Sequence, residues 1–298
     1  MSIHAEQDNL KFASGIGASN FQQSINQDIW LKHKHQKSAG HSIYIDRELS
    51  ARSLLYADQL PTFAEMAVRR SLFEQVDLAF SKEPTLSGVI DGCREIKLGK
   101  RGGGRASYFP SKKNAKSGLP AVAIPVESRA ESAFALELER NPSVQAFRTQ
   151  ALALDIPGSN HPIYPDFLYV DTGGRLHVRE VKANKEYLSS EFRERIEVIT
   201  GILHKEGISY AVVDLNDMPS GMKSANLFWL HKQYDRIPHM DEIKAFFALD
   251  FERSTYGELQ ELCRSNGLPA SLVPYLLMCE WLQTNWKCRI DNLMEVWK

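Results

Sequence analysis

The sequence predicts an α/β chain: a mixed sheet flanked by helices, with a polar, partly helical extension ahead of it and a helical tail behind. Three observations predict this. From residue 128 the apolar pattern runs helix, strand, strand, strand, helix, strand, an order that suits a mixed sheet with helices packed on it. Residues 167–170 and 176–181 are rich in β-branched and aromatic side chains and are joined by Asp171-Thr172-Gly173-Gly174, which supplies the positive-φ positions of a tight turn. The composition is 43% hydrophobic and 24% charged over 298 residues, enough for more than one core.

In chain order, residues 1–45 are polar and rich in Gln, Asn, Ser and His, with Phe12, Phe21 and Trp30 among scattered apolar anchors. His33, His35 and His41 lie among Lys32, Lys34 and Lys37 with no acid or cysteine partner in that segment, so they read as solvated. Residues 46–80 turn helical, with Thr62 and Glu65 as a capping box and Phe63, Met66, Leu72, Phe73 and Val76 on one face. Residues 94–116 are basic: Arg94, Lys97, Lys100, Arg101, Arg105, Lys112, Lys113 and Lys116 against the single acid Glu95, with Tyr108 and Phe109 among them. Such a strip suits a DNA phosphate backbone, with Arg101, Arg105, Lys112, Lys113 and Lys116 as its contacts. A solvated loop is the plainer alternative.

Ser128 caps a helix through residue 140, which Asn141-Pro142 ends, and residues 144–154 follow as a strand containing Gln150. Beyond the hairpin, Ser189 or Ser190 caps a helix that stops at Gly207, and residues 209–214 form a strand. In the tail, helices are expected from Ser254 to about Asn266 and from Ser271 to Gln283, with a short strand over 286–290. Helix, turn, helix, strand is a winged-helix-like order. The expected divisions are 1–90, 91–232 and 233–298.

The chemistry is concentrated in the hairpin. Asp166 opens its first strand, and Glu180 and Lys182 share one face of the second, because side chains alternate along a strand. Two carboxylates on neighbouring strands suit Mg²⁺, or Mn²⁺ in its place, with the Val181 carbonyl as a third oxygen. Lys182 is then placed to orient a water or offset charge on a phosphate. This is the PD-(D/E)xK pattern, with Pro165-Asp166 and Glu180-Val181-Lys182. The register decides whether the site forms: a three-residue loop with a left-handed glycine pairs Asp166 with Glu180, whereas an even loop turns Glu180 and Lys182 to the other face. Glu131 has two readings, as the third residue of a capping box opened by Ser128 or as an inward acid on the face of Phe134 and Leu138.

The formal net charge of −1 excludes a whole-molecule basic field. Cys93, Cys263, Cys279 and Cys288 form no CxxC pair, which argues against a zinc or iron–sulfur site and for reduced thiols. No run approaches a membrane span, so the expectation is a soluble, cytoplasmic protein with no membrane partner.

Residues 95–230 resemble the TnsA family, the restriction-enzyme-like endonuclease subunit of heteromeric transposons. The matching features are Tyr108-Phe109-Pro110-Ser111-Lys112, the helix with Ser128-Arg129-Ala130-Glu131, the strand to Gln150, Pro165-Asp166-Phe167, and Glu180-Val181-Lys182 followed by helix and strand. The resemblance implies a restriction-endonuclease-like fold, Glu131 as the helix acid, Asp166 as the strand acid and Glu180 with Lys182 as the final pair. Gln150 matches a frequent family glutamine of unassigned role. It also implies cutting of the 5′ strands of double-stranded DNA at transposon ends, together with a TnsB-like DDE transposase and a TnsC-like AAA+ ATPase docked by the carboxy-terminal domain. Two alternatives stay open: a stand-alone restriction or repair nuclease of the same fold, and a non-catalytic adaptor between transposase and ATPase.

Overall fold

A four-stranded mixed sheet has the hairpin as its two central strands. In the computed structural model, residues 71–84, 88–94, 96, 106–115, 120–156, 159 and 161–298 are described. The polar extension, the Thr62–Glu65 cap and Arg101, Arg105 and Lys116 lie outside the described residues.

The elements are α1 (Leu72–Ser81), β1 (Ser107–Ser111), β2 (Val122–Val126), α2 (Arg129–Arg140), β3 (Val144–Thr149), β4 (Phe167–Asp171), β5 (Leu176–Lys182), α3 (Ser190–Lys205), β6 (Ser209–Asp214), α4 (Gly221–His231), α5 (Met240–Phe247), β7 (Arg253–Thr255), α6 (Tyr256–Ser265), α7 (Leu272–Met278), β8 (Gln283–Thr284) and β9 (Glu295–Trp297). Strands β3/β4 and β4/β5 are antiparallel, and β5/β6 are parallel across the α3 crossover. Helix α1 is capped reciprocally by Ser71 and Glu74, and α3 by Ser189.

Alternation along the strands buries both faces of the sheet. Leu168, Val170 and Val178 pack with Val76 and Phe80 of α1 and Ile199 and Leu203 of α3. Phe147, Phe167 and Val181, on the other face, pack with Phe134 and Leu138 of α2, and this cluster continues through Leu227 and Leu230 to Leu259 and Leu276. Phe134 meets Phe167 edge to face at 5.0 Å between centroids, a favoured aromatic geometry. The two central helices therefore grip the hairpin from opposite sides.

Several expected boundaries move. The strand after α2 ends at Thr149 rather than Leu154, because Gln150 adopts a left-handed φ of +46°. Helix α7 stops at Met278, and the expected strand over 286–290 is replaced by β8 and β9 on either side of it, in a small sheet ordered β7-β9-β8. Pairing across that sheet, and not local propensity, selects those strands. Helices α4 and α5 were not anticipated; Asn226 of α4 donates to the Cys288 carbonyl at 2.7 Å and accepts from the Ile290 N–H at 3.2 Å, tying α4 to the tail. Cys93, Cys263 and Cys279 are buried, Cys288 is exposed, and all four thiols are unpaired. Among the described residues no helix is long and apolar enough to cross a membrane.

Candidate active site

The turn of the hairpin fixes its register. Asp171 N–H donates to the Arg175 carbonyl at 3.0 Å and Gly174, at φ +79°, donates back to the Asp171 carbonyl at 2.9 Å. Residues 172–174 are thus the odd loop that the acids require. The Asp171 carboxylate reinforces it, accepting the Gly173 and Arg175 N–H groups at 2.9 Å and the Arg175 Nε at 2.8 Å. Burial opposes ionisation there, but the Arg175 N–H, His177 and the Arg175 side chain hold the Asp171 carboxyl down at about 2. His177 stacks on Tyr169 and reaches Ser209 Oγ at 2.6 Å, fastening the hairpin to β6.

Phe167 pairs with Arg179, so the next position outward sets Asp166 against Glu180. Asp166 Oδ2 accepts the Val181 N–H at 2.7 Å, and its carbonyl accepts the Gln150 N–H at 2.9 Å. The side chain of Glu180 is buried; its Oε1 lies 2.6 Å from Lys182 Nζ, while Oε2 has no hydrogen-bond partner among the described residues. Burial first, then the charge of Glu180, pushes the Asp166 carboxyl up to about 7; the Val181 N–H and Lys182 pull against this, and Glu131 adds to it. Tyr210, paired with Val178 in the parallel ladder, has a buried hydroxyl without a partner among the described residues, and burial together with Glu180 and Asp166 raises its phenol far above the usual range. Parallel pairing of β5 with β6 carries the even-numbered positions of both strands to one face. That was the signal by which Tyr210 was findable from sequence.

Glu131 serves both of its expected roles in part. Ser128 Oγ accepts the Glu131 N–H at 3.0 Å, while Glu131 Oε1 and Oε2 accept the Ser128 hydroxyl at 2.9 Å and the Glu127 N–H at 2.8 Å. The side chain is buried and its field reaches Asp166, yet both oxygens are committed to the helix start. Burial raises its carboxyl, against those two hydrogen bonds.

Sequence reasoning missed a polar bridge beside these acids. Gln150 Oε1 accepts Arg94 Nε at 2.6 Å, Gln150 Nε2 donates to Glu127 Oε2 at 2.7 Å, and Arg94 Nη2 also bonds Glu127 Oε2. Gln150 thus links the start of the basic segment to the residue whose N–H holds Glu131. Gly92 lets the chain approach closely here: a Cβ on it would lie 2.4 Å from the Thr149 carbonyl oxygen and 2.5 Å from that of Gln150.

Lys112 and Lys113, expected on DNA, turn inward instead. Lys112 Nζ bonds the His231 carbonyl and lies 3.9 Å from the Tyr234 ring centroid. Lys113 Nζ reaches the Leu138 and Asn141 carbonyls at 2.9 and 2.5 Å. Their N–H groups converge on the fully buried Glu139, which also accepts Ser111 Oγ. Burial lowers both ammonium groups to about 8, with Glu139 opposing. The buried acid draws the chain into a turn that no local charge count could reveal.

Among the described residues no three or more His, Cys, Asp and Glu side chains are gathered closely enough to hold a metal ion. The acids facing one another at the hairpin are Asp166 and Glu180, with Glu131 held on its cap. No protein-family model matches this sequence, and no curated protein matches it.

Proposed function

We propose that this chain is a Mg²⁺- or Mn²⁺-dependent DNA endonuclease whose catalytic centre is Asp166, Glu180 and Lys182. One observation carries the reading: Glu180 faces Asp166 across the hairpin and keeps one buried oxygen without a partner among the described residues. Such an oxygen beside a second carboxylate is costly, and a divalent cation would supply the partner and offset the repulsion that, after burial, raises the Asp166 carboxyl. Two carboxylates with the Val181 carbonyl fit Mg²⁺, which commonly takes one or two carboxylates and leaves other positions to water and phosphate oxygens. Glu131 would join by leaving its cap.

A bound ion there supplies an acidified water and charge neutralisation on the phosphate. The chain supplies the rest. The Lys182 ammonium, held at 2.6 Å by Glu180, positions a water and offsets charge on the phosphate as it grows. The Val181 N–H orients Asp166, and the Gln150–Arg94–Glu127 bridge braces the carbonyl side of that residue.

In finer terms the reading is a restriction-endonuclease-like sheet between α2 and α3, with α6, α7 and β7–β9 as a winged-helix-like module. With the TnsA-like motif order, this supports cutting of 5′ strands at transposon ends alongside a DDE transposase and an AAA+ ATPase docked on the tail. A non-catalytic adaptor is the second reading, favoured by the commitment of both Glu131 oxygens to the helix cap. Strand-specific cleavage of a plasmid bearing the cognate ends, in Mg²⁺ or Mn²⁺ with and without both partners, tests this. Partner-dependent 5′ cuts that vanish in Asp166→Ala and Lys182→Ala are expected. Equal cutting without partners would mean a free nuclease, and intact 3′ joining with no 5′ cuts would mean an adaptor.

A further inference from the structure

The first turns of α3 carry a second cation to the same end of the sheet. Phe192 and Arg195, three residues apart, share one helix face. The Arg195 guanidinium carbon lies 4.4 Å from the Phe192 ring centroid, and Lys182 Nζ lies 4.9 Å from that same centroid. Two cations therefore converge on one ring beside Glu180. Lys182 has an acid to balance it. Arg195 has no carboxylate in ion-pair range among the described residues, and Glu191, Glu194 and Glu197 of the same helix are exposed. Its charge also acts on the Tyr210 phenol, as do those of Glu180 and Asp166.

A ring contact of this kind is weak, and it holds the guanidinium in place without using its hydrogen-bonding capacity. Arginine presents five N–H donors in a planar fork suited to phosphate, and none of those of Arg195 donates to a described residue. By contrast Arg193, two positions earlier, is exposed and donates Nε to the Leu188 carbonyl at 3.3 Å.

Resting on the nuclease reading for its substrate, we propose that Arg195 binds a backbone phosphate next to the scissile one, with the Phe192 ring as its backing and Lys182 on the neighbouring phosphate. The bound strand then crosses the ends of β4 and β5 and meets α3.

The test is fluorescence-anisotropy titration of the full chain with a labelled DNA duplex in Ca²⁺, over a range of salt, followed by cleavage of the same duplex in Mg²⁺ and Mn²⁺. Arg195→Ala is expected to weaken binding about tenfold or more, to reduce the salt slope by about 0.9, and to slow cleavage. Arg195→Lys should restore the slope while recovering only part of the affinity. Arg193→Ala, with the same charge change on the same helix, should match the wild type. Wild-type behaviour of Arg195→Ala, an equal loss in Arg193→Ala, or a wild type that does not bind the duplex would each overturn the inference. Arg195-dependent binding with no cleavage in either metal, with the transposase and the ATPase both added, would retain the phosphate site and reject the nuclease reading. Cleavage undiminished in Arg195→Ala would do the reverse.

Discussion

The Asp166 carboxylate accepts the backbone N–H of Val181 at 2.7 Å, so the acid that opens the hairpin is tied to the residue lying between Glu180 and Lys182. Register, acid and lysine form one mechanical unit. A slip of one residue would both break this bond and turn Glu180 and Lys182 to the opposite face. The odd loop at 172–174 and the Asp171 clamp therefore set the geometry of the proposed site although neither touches it.

The Asp166 carboxyl, pushed up to about 7 by burial and by Glu180, makes stability depend on pH in a stated direction. An acid whose folded pKa is raised contributes stability that is fully present below its unfolded value, near 4, and is lost as pH rises through about 7. Asp166→Asn removes that loss, so its melting temperature should exceed the wild type's at about pH 8 and match or fall below it near pH 4. Divalent metal favours the ionised acid, so Mg²⁺ should stabilise the wild type increasingly between about pH 6 and 8. Calorimetry with and without Mg²⁺ reads both effects. A Mg²⁺ shift that persists in Asp166→Asn would remove the metal site from this hairpin.

Among the described residues, Lys182 provides the one partner of the Glu180 carboxylate. Lys182→Met should leave both oxygens of a buried acid unpaired and cost about 1–3 kcal/mol, whereas adding Glu180→Gln should return part of that loss. Cleavage should vanish in the single and the double variant. Chemical denaturation gives the coupling, and its absence would show that the pair is too solvated to matter.

Glu131 can be divided by experiment into its two roles. Ser128→Ala removes the hydroxyl that caps α2 and should cost about 1 kcal/mol while leaving the carboxylate for chemistry. Glu131→Gln keeps an acceptor for the Glu127 N–H and should cost less stability but more activity. The same ranking in melting temperature and in cleavage rate would reduce Glu131 to a capping residue.

The hairpin was legible because its information is local: alternation gives the faces, Gly173-Gly174 gives the turn, and parity then places Asp166 against Glu180. The α3 crossover and β6 were legible from Ser189, Gly207 and the apolar spacing between them. What the sequence hid depends on distant partners. The inward turn of Lys112 and Lys113 is set by Glu139, 27 and 26 positions away along the chain, and β8 and β9 exist by pairing across residues 285–294. The Arg94–Gln150–Glu127 bridge joins three segments, and Gln150 itself breaks a strand that its neighbours would continue.

Lys112 and Lys113 give a direct check on the basic segment. Because their ammonium groups bond carbonyl oxygens inside the fold, Lys112→Met and Lys113→Met should lower stability by about 1–3 kcal/mol and leave the salt dependence of DNA binding unchanged. Thermal denaturation and anisotropy separate these outcomes. A reduced salt slope with unchanged stability would place the two lysines on the nucleic acid.

Gln150 combines a strained backbone with a working side chain, and two substitutions take these apart. At φ +46° a residue with a Cβ costs about 1–2 kcal/mol relative to glycine. Gln150→Gly should therefore relieve strain while losing the bonds to Arg94 and Glu127; Gln150→Ala should lose the same bonds and keep the strain. The alanine variant is expected to be the less stable of the two by about 1 kcal/mol, measured by denaturation, because both retain the N–H that holds the Asp166 carbonyl. If the bridge steadies Asp166 and Glu131, the two variants should share one reduced cleavage rate despite their different stabilities. Cleavage that instead follows stability from wild type through glycine to alanine would make Gln150 a structural residue alone.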